Sequence, residues 1–173
     1  MHTAEEEYYV FLRFADGNIS HALMALDHIQ KTDIEFVRLS LLKDAAISYC
    51  RPFKQSCGSF NKNLKPLDNS FVPSTLIKIH KELLDLRDQV FAHTDLDVRS
   101  AVLHCWTSDP SPIFPIQFKG YDYPQLLSRT EEIRSLFNNV LTNIRDRESA
   151  MEAQFANTLT NAASINKQSE TTT

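Results

Sequence analysis

The stretch Leu86-Arg87-Asp88-Gln89-Val90-Phe91-Ala92-His93-Thr94-Asp95 gathers a cation, two acids and an imidazole within ten residues. Arginine supplies a permanent positive charge and a fork of donors suited to phosphate. Histidine titrates near neutrality, and a neighbouring carboxylate can orient its ring or shift its pKa. With a ribose 2′-hydroxyl as nucleophile, this set can cleave RNA without a metal. His93 removes or steers the hydroxyl proton, Arg87 neutralises charge on the in-line phosphorane, and Asp88 or Asp95 orients the imidazole. The competing reading is plain: Arg, Asp and His in the last turns of a helix also form solvated ends and structural ion pairs.

Spacing sets a condition on the chemistry. Six residues of regular helix separate Arg87 from His93 by about 9 Å of rise and about 120° of rotation. A compact site therefore needs a break near His93, or a two-fold dimer that brings two copies of the segment together. Charge sets another. Between Leu76 and Arg99, Lys78, Lys81, Arg87 and Arg99 face Glu82, Asp85, Asp88, Asp95 and Asp97, so RNA affinity calls for cations from elsewhere. Arg51 and Lys54 are the obvious reserve, although a solvated helix end is the simpler role for both.

The other chemistry-bearing residues form weaker patterns. His80, His93, His104 and Cys105 include metal-ligand types but no pair at zinc-site spacing, so no metal and no cofactor are expected. Cys50, Cys57 and Cys105 are an odd count without a Cys-x-x-Cys pair, which argues against a disulfide framework. Cys50 or Cys57 as a nucleophile lacks a recognisable Cys/His signature. Trp106, Tyr121 and Tyr123 are of a type that stacks bases, though aromatics in such a connection also cap bundle ends.

The elements that must carry these residues are helical. Leu76, Ile79, Leu83, Leu86 and Val90 form one stripe, flanked by Ile77, Leu84 and Phe91, after a Pro73-Ser74 start. A stripe this wide predicts a central, buried helix ending in the motif. Upstream, helical spacing runs from about Ala4 to Gln30 with Asp16-Gly17-Asn18 as a break, giving two helices or one with a bend. Asp33 is the expected N-cap of a further helix that Pro52 ends or kinks. From Cys57 to Ser70 the chain is polar and turn-prone. Pro110, Pro112, Pro115 and Pro124 forbid a long helix, and Ala101 to Trp106 with Ile113 to Phe118 suit a small hairpin. From Gln125 to Phe155 the pattern predicts one long helix of roughly 30 residues. The expected organisation is one helical domain over residues 1–157 and a polar, disordered tail over 158–173.

Composition agrees. Three glycines in 173 residues are poor material for an all-β fold or a phosphate-cradling loop. With 18 Lys and Arg against 22 Asp and Glu there is no whole-protein field to draw nucleic acid, so any RNA contact is local. No apolar run approaches the ~20 residues of a membrane span. Glu5, Glu6 and Glu7 stand where a secretory signal carries bases, and the expected location is the cytoplasm.

Arg87-Asp88-x-x-x-x-His93, within Leu-Arg-Asp-Gln-Val-Phe-Ala-His-Thr-Asp, resembles the Arg-x(4–6)-His signature of the HEPN superfamily, in the flavour of its AbiU-type abortive-infection branch. The resemblance is firm over about ten residues, with helix order as softer support over roughly 4–157. It implies an all-α antiparallel bundle, here with a short β-hairpin near residues 101–118, forming homodimers with the motif lining a cleft between subunits. It also implies a metal-independent endoribonuclease of bacterial defence or toxin–antitoxin type, with RNA and an antitoxin protein as partners. By position, Arg87 matches the motif arginine, Asp88 the polar residue after it and His93 the motif histidine. That polar residue is often Asn in the superfamily; Asp88 is an acid, which repels phosphate when ionised. A non-catalytic helical dimer using the same surfaces, or a nucleotide-binding module that keeps Arg87 as a phosphate clamp, remains the alternative.

Overall fold

A computed structural model describes residues 3–55, 65–91, 102–107, 113–117 and 122–170, with side chains through Ala156 apart from those of Val90 and Phe91. The described chain is mostly helical, with one two-stranded antiparallel sheet. Helix α1 spans Ala4–Ile29, α2 Glu35–Cys50 and α3 Ile77–Leu86. Strands β1 (Val102–Leu103) and β2 (Ile116–Gln117) form the hairpin, and α4 (Tyr123–Ser128) precedes the long α5 (Thr130–Glu170). No helix among the described residues is long and apolar enough to cross a membrane.

Helix α1 begins in a reciprocal cap. The Thr3 hydroxyl accepts from the Glu6 N–H at 3.2 Å, and the Glu6 carboxylate accepts from the Thr3 N–H at 2.7 Å. Glu5, Glu6 and Glu7 thus lie in the first turn, where the helix dipole favours acids. Leu12, Ala15, Ile19, Ala22, Leu26 and Ile29 recur every three or four residues and are buried. The helix passes uninterrupted through Asp16-Gly17-Asn18, where the sequence suggests a break. There the Asn18 amide donates to the Phe14 carbonyl and Asp16 accepts from Ser20, so both polar side chains serve the helix they were expected to interrupt. Helix α2 starts one residue later than Asp33 implies: Ile34 occupies the cap position, and the Thr32 hydroxyl accepts its N–H.

Helix α1 packs against both α2 and α5. The α1–α5 seam is a ladder of polar rungs: Tyr9 with Glu152, Arg13 with Glu148, Asp16 with Arg145, Asp27 with Arg134 and Gln30 with Glu131. Each step forward along α1 matches an equal step back along α5, the register of a straight antiparallel pair. Single rungs of this kind contribute little, ~0–1 kcal/mol each, but they fix alignment above the apolar layer. One member is buried: Glu148 meets Arg13 through one oxygen, while the other has no partner among the described residues. Burial raises the Glu148 pKa, and the Arg13 charge only partly offsets it.

The core is aromatic where α2, α3 and α5 meet. Tyr49 stacks on Phe137 with ring centroids 4.3 Å apart, and Phe53 meets His80 edge-on at 4.6 Å. Tyr49 and His80 hydrogen-bond through Oη and Nδ1 at 2.7 Å. The stripe expected of α3 is seen in buried Ile79, Leu83 and Leu86, with Leu76, Ile77 and Leu84 partly buried beside them. Arg129 separates α4 from α5, capping α4 with its N–H and pairing with Glu82 of α3 and with Glu132. Helix α5, at 41 residues, exceeds the expected length and runs through most of the polar stretch read as a tail. Neither Gly nor Pro occurs in it to break the pattern.

Candidate functional site

Pro52 and Phe53 are buried in a 3-10 turn over Arg51–Phe53 that ends α2, and this turn delivers Lys54 in extended conformation toward the end of α3. There Arg87 opens a π-helical turn, Arg87–Phe91. A π turn departs from α geometry and often marks a functional position. It begins at the residue from which straight-helix spacing would carry Arg87 and His93 apart. His93 and Asp95 lie outside the described residues.

Asp88 is the hub of the site. The Arg87 Nη1 donates to its Oδ1 at 2.8 Å, and the Lys54 ammonium pairs with its Oδ2, so both carboxylate oxygens are engaged. All three side chains remain 30–41% exposed, within reach of a ligand. Partial burial works against the Asp88 charge, but the hydrogen bonds and charges of Lys54 and Arg87 prevail and hold its carboxyl below the usual carboxylate range. The Arg87 Nε is buried and has no hydrogen-bond partner among the described residues. A buried guanidinium N–H without an acceptor is uncommon, because the desolvation goes uncompensated.

The remaining candidates are placed differently. Arg51 is exposed and donates to Asn18 of α1 at 3.4 Å, not to Asp88. Cys50 is buried behind the Lys54–Asp88–Arg87 clasp of ion pairs, with its thiol toward the Leu83 carbonyl, 3.4 Å away. Burial pushes that thiol up to about 12 despite the cations of Lys54 and Arg87, which makes it a poor nucleophile at neutral pH. Cys57 lies outside the described residues, and Cys105 is exposed on the hairpin. His80 belongs to the core. Burial first, and then the charges of Lys81 and Lys54, lower its pKa to about 4. His104 bonds Gln117 across the hairpin at 3.0 Å. Trp106 is exposed, Tyr121 lies outside the described residues, and Tyr123 receives Lys43 over its ring at 5.3 Å. Among the described residues no group of three His, Cys, Asp or Glu side chains is placed to hold a metal ion.

Lys54 is the residue whose place at the site sequence reasoning missed, treating it only as spare charge. Thirty-four positions separate it from Asp88, and no local pattern links them. Away from the clasp, an open depression of about 390 Å³ lies between the turn at Ser70 and Phe71 and α5, lined there by Asn143, Asp146, Arg147 and Ala150. It shares no residue with the clasp. No family model, curated protein or solved structure matches the chain.

Proposed function

We propose that the protein is a metal-independent endoribonuclease of the HEPN type, acting as a homodimer in bacterial defence or a toxin–antitoxin system. Arg87 holds the scissile phosphate and His93 serves the 2′-hydroxyl, leaving cyclic-phosphate and 5′-hydroxyl ends. Lys54 joins Arg87 as a second cation. Because both oxygens of Asp88 are engaged, orientation of the imidazole falls to Asp95. The observation that carries this reading is the convergence of two cations from separate elements, with a buried Arg87 N–H that has no partner among the described residues, at the start of a π turn six residues before His93.

One observation favours the alternative, a non-catalytic interaction module. The Lys54–Asp88–Arg87 group is complete as an ion triad, and it could serve only to fasten α2 to α3. The test is incubation of the purified full chain with RNA in excess chelator. On the enzyme reading RNA is cut, His93→Ala lowers the rate about 10²–10⁴-fold, and Arg87→Ala lowers it about 10²–10³-fold. Cleavage that survives His93→Ala defeats the assignment. A folded protein that leaves RNA intact supports the fastening role.

A further inference from the structure

Helix α5 pairs nearly all of its charge. Up to Ala156, the charged side chains of Glu131, Glu132, Arg134, Arg145, Glu148 and Glu152 each meet a polar partner. Asp146 and Arg147 are the exceptions. They are neighbours of opposite sign, and among the described residues neither makes an ion pair. Both line the depression of about 390 Å³ between α5 and the turn at Ser70 and Phe71. The two charges that the fold leaves unused therefore border one concavity.

Three elements hold its walls. Asn143, Asp146, Arg147 and Ala150 follow the i, i+3, i+4, i+7 spacing of one helix face. The Asn143 amide donates to the Phe71 carbonyl at 2.9 Å and ties the turn to that face. Asp68 caps the turn, accepting the Ser70 N–H at 2.8 Å and the Ser70 hydroxyl through the same oxygen. Arg147 sits beside the Tyr8 hydroxyl of α1, whose ring stacks on Phe11. Half-buried Phe71 supplies apolar wall, and Ala150, with only a methyl group, leaves room above the helix.

These walls select among occupants. A simple anion gains Arg147 but faces the Asp146 carboxylate. A metal ion finds one carboxylate beside a guanidinium, far short of the ligand number that a hard cation takes. A molecule with charges of both signs and an apolar body meets every feature. We propose that the depression binds a free α-amino acid with an apolar side chain. Its carboxylate pairs with Arg147, its ammonium with Asp146, and its side chain lies against Phe71 over Ala150. The guanidinium fork matches a carboxylate in shape as well as charge. Small-molecule sites run to roughly 300–1,000 Å³, with apolar walls and a few convergent polar groups, so this one suits a ligand at the small end. The depression shares no residue with the Lys54–Asp88–Arg87 clasp, and the inference does not depend on RNA cleavage.

NMR titration of the isotopically labelled full chain with L-phenylalanine tests it. The expected result is saturable binding with a millimolar or tighter dissociation constant. Arg147→Gln and Asp146→Asn each weaken it about tenfold. N-acetyl-phenylalanine, which lacks the ammonium, and phenylalanine amide, which lacks the carboxylate, lose about as much. Ala150→Leu fills the depression and abolishes binding with both charges in place. All three substituted positions are exposed on α5, so the helical circular dichroism stays unchanged. Absence of binding at roughly 10 mM phenylalanine overturns the proposal. So does binding that survives Arg147→Gln, Asp146→Asn or Ala150→Leu. If N-acetyl-phenylalanine binds as well as the free amino acid, the ammonium is not read, and the proposal falls in favour of a peptide C-terminus.

Discussion

Asp88 decides how much positive charge the end of α3 presents. Its carboxylate occupies both Lys54 and Arg87, the groups a phosphate would use, so at neutral pH it competes with any anion for the site. Asp88→Asn keeps the shape and removes the charge. The expected result is on the order of tenfold tighter binding of inorganic phosphate, read by calorimetric titration, because a cation released from its partner offers full charge to the ligand. Unchanged phosphate affinity would show that Asp88 is not a competitor. The linkage has a definite sign. Asp88 titrates below its ordinary value near 3.8, so its contribution to stability is present above that pH and fades as pH falls through the depressed value.

At the scale of elements, α1 carries a removable weakness. Gly17 is exposed in mid-helix, and a Cβ added there meets nothing within 4 Å. Gly17→Ala should stabilise the protein by about 0.5–1 kcal/mol and raise the thermal midpoint by about 1–4 °C, as measured by calorimetry. A lower midpoint would mean that the helix needs glycine there for a reason its open surroundings do not reveal. The same residue shows where sequence reading stops. Periodicity is a property of one helix, so the stripe from Leu76 to Leu86 and the span ending at Ile29 were legible, as were the proline-bounded strands of the hairpin. Asp16-Gly17-Asn18 looked like punctuation because the partners that hold it are a helix turn and Arg145, the latter 129 positions away. Arg87 and Asp88 were visible as a motif for the same local reason. Lys54 was not, since the α2 exit brings it to Asp88 only after the helices pack.

The whole molecule is held at a junction that contains a titratable group. Tyr49 of α2, His80 of α3 and Phe137 of α5 meet there, and the ring of His80 stays neutral to accept the Tyr49 hydroxyl at Nδ1. Unfolded, this histidine titrates near 6.5; folded, at about 4. The unfolded chain therefore binds the extra proton first. Stability contributed by this group is intact above pH 6.5 and declines as pH falls toward 4. Thermal midpoints measured across that window should drop for the wild type and drop less for His80→Phe. At pH 7 that variant should itself be about 1–3 kcal/mol less stable, because the Tyr49 hydroxyl loses its acceptor.

The α1–α5 ladder also has a meaning for biosynthesis. Ile29 and Thr130 are about 100 residues apart, and a ribosome adding about 5–20 residues each second takes some 5–20 s to make them. Through that interval α1 lacks the α5 side of its packing over Leu12, Ile19 and Leu26, with α2 and the turn that ends it already in place, and the nascent chain waits half-assembled until its final helix emerges. Translation speed and chaperone supply, more than sequence-local helix strength, then govern how much of the product reaches its native form.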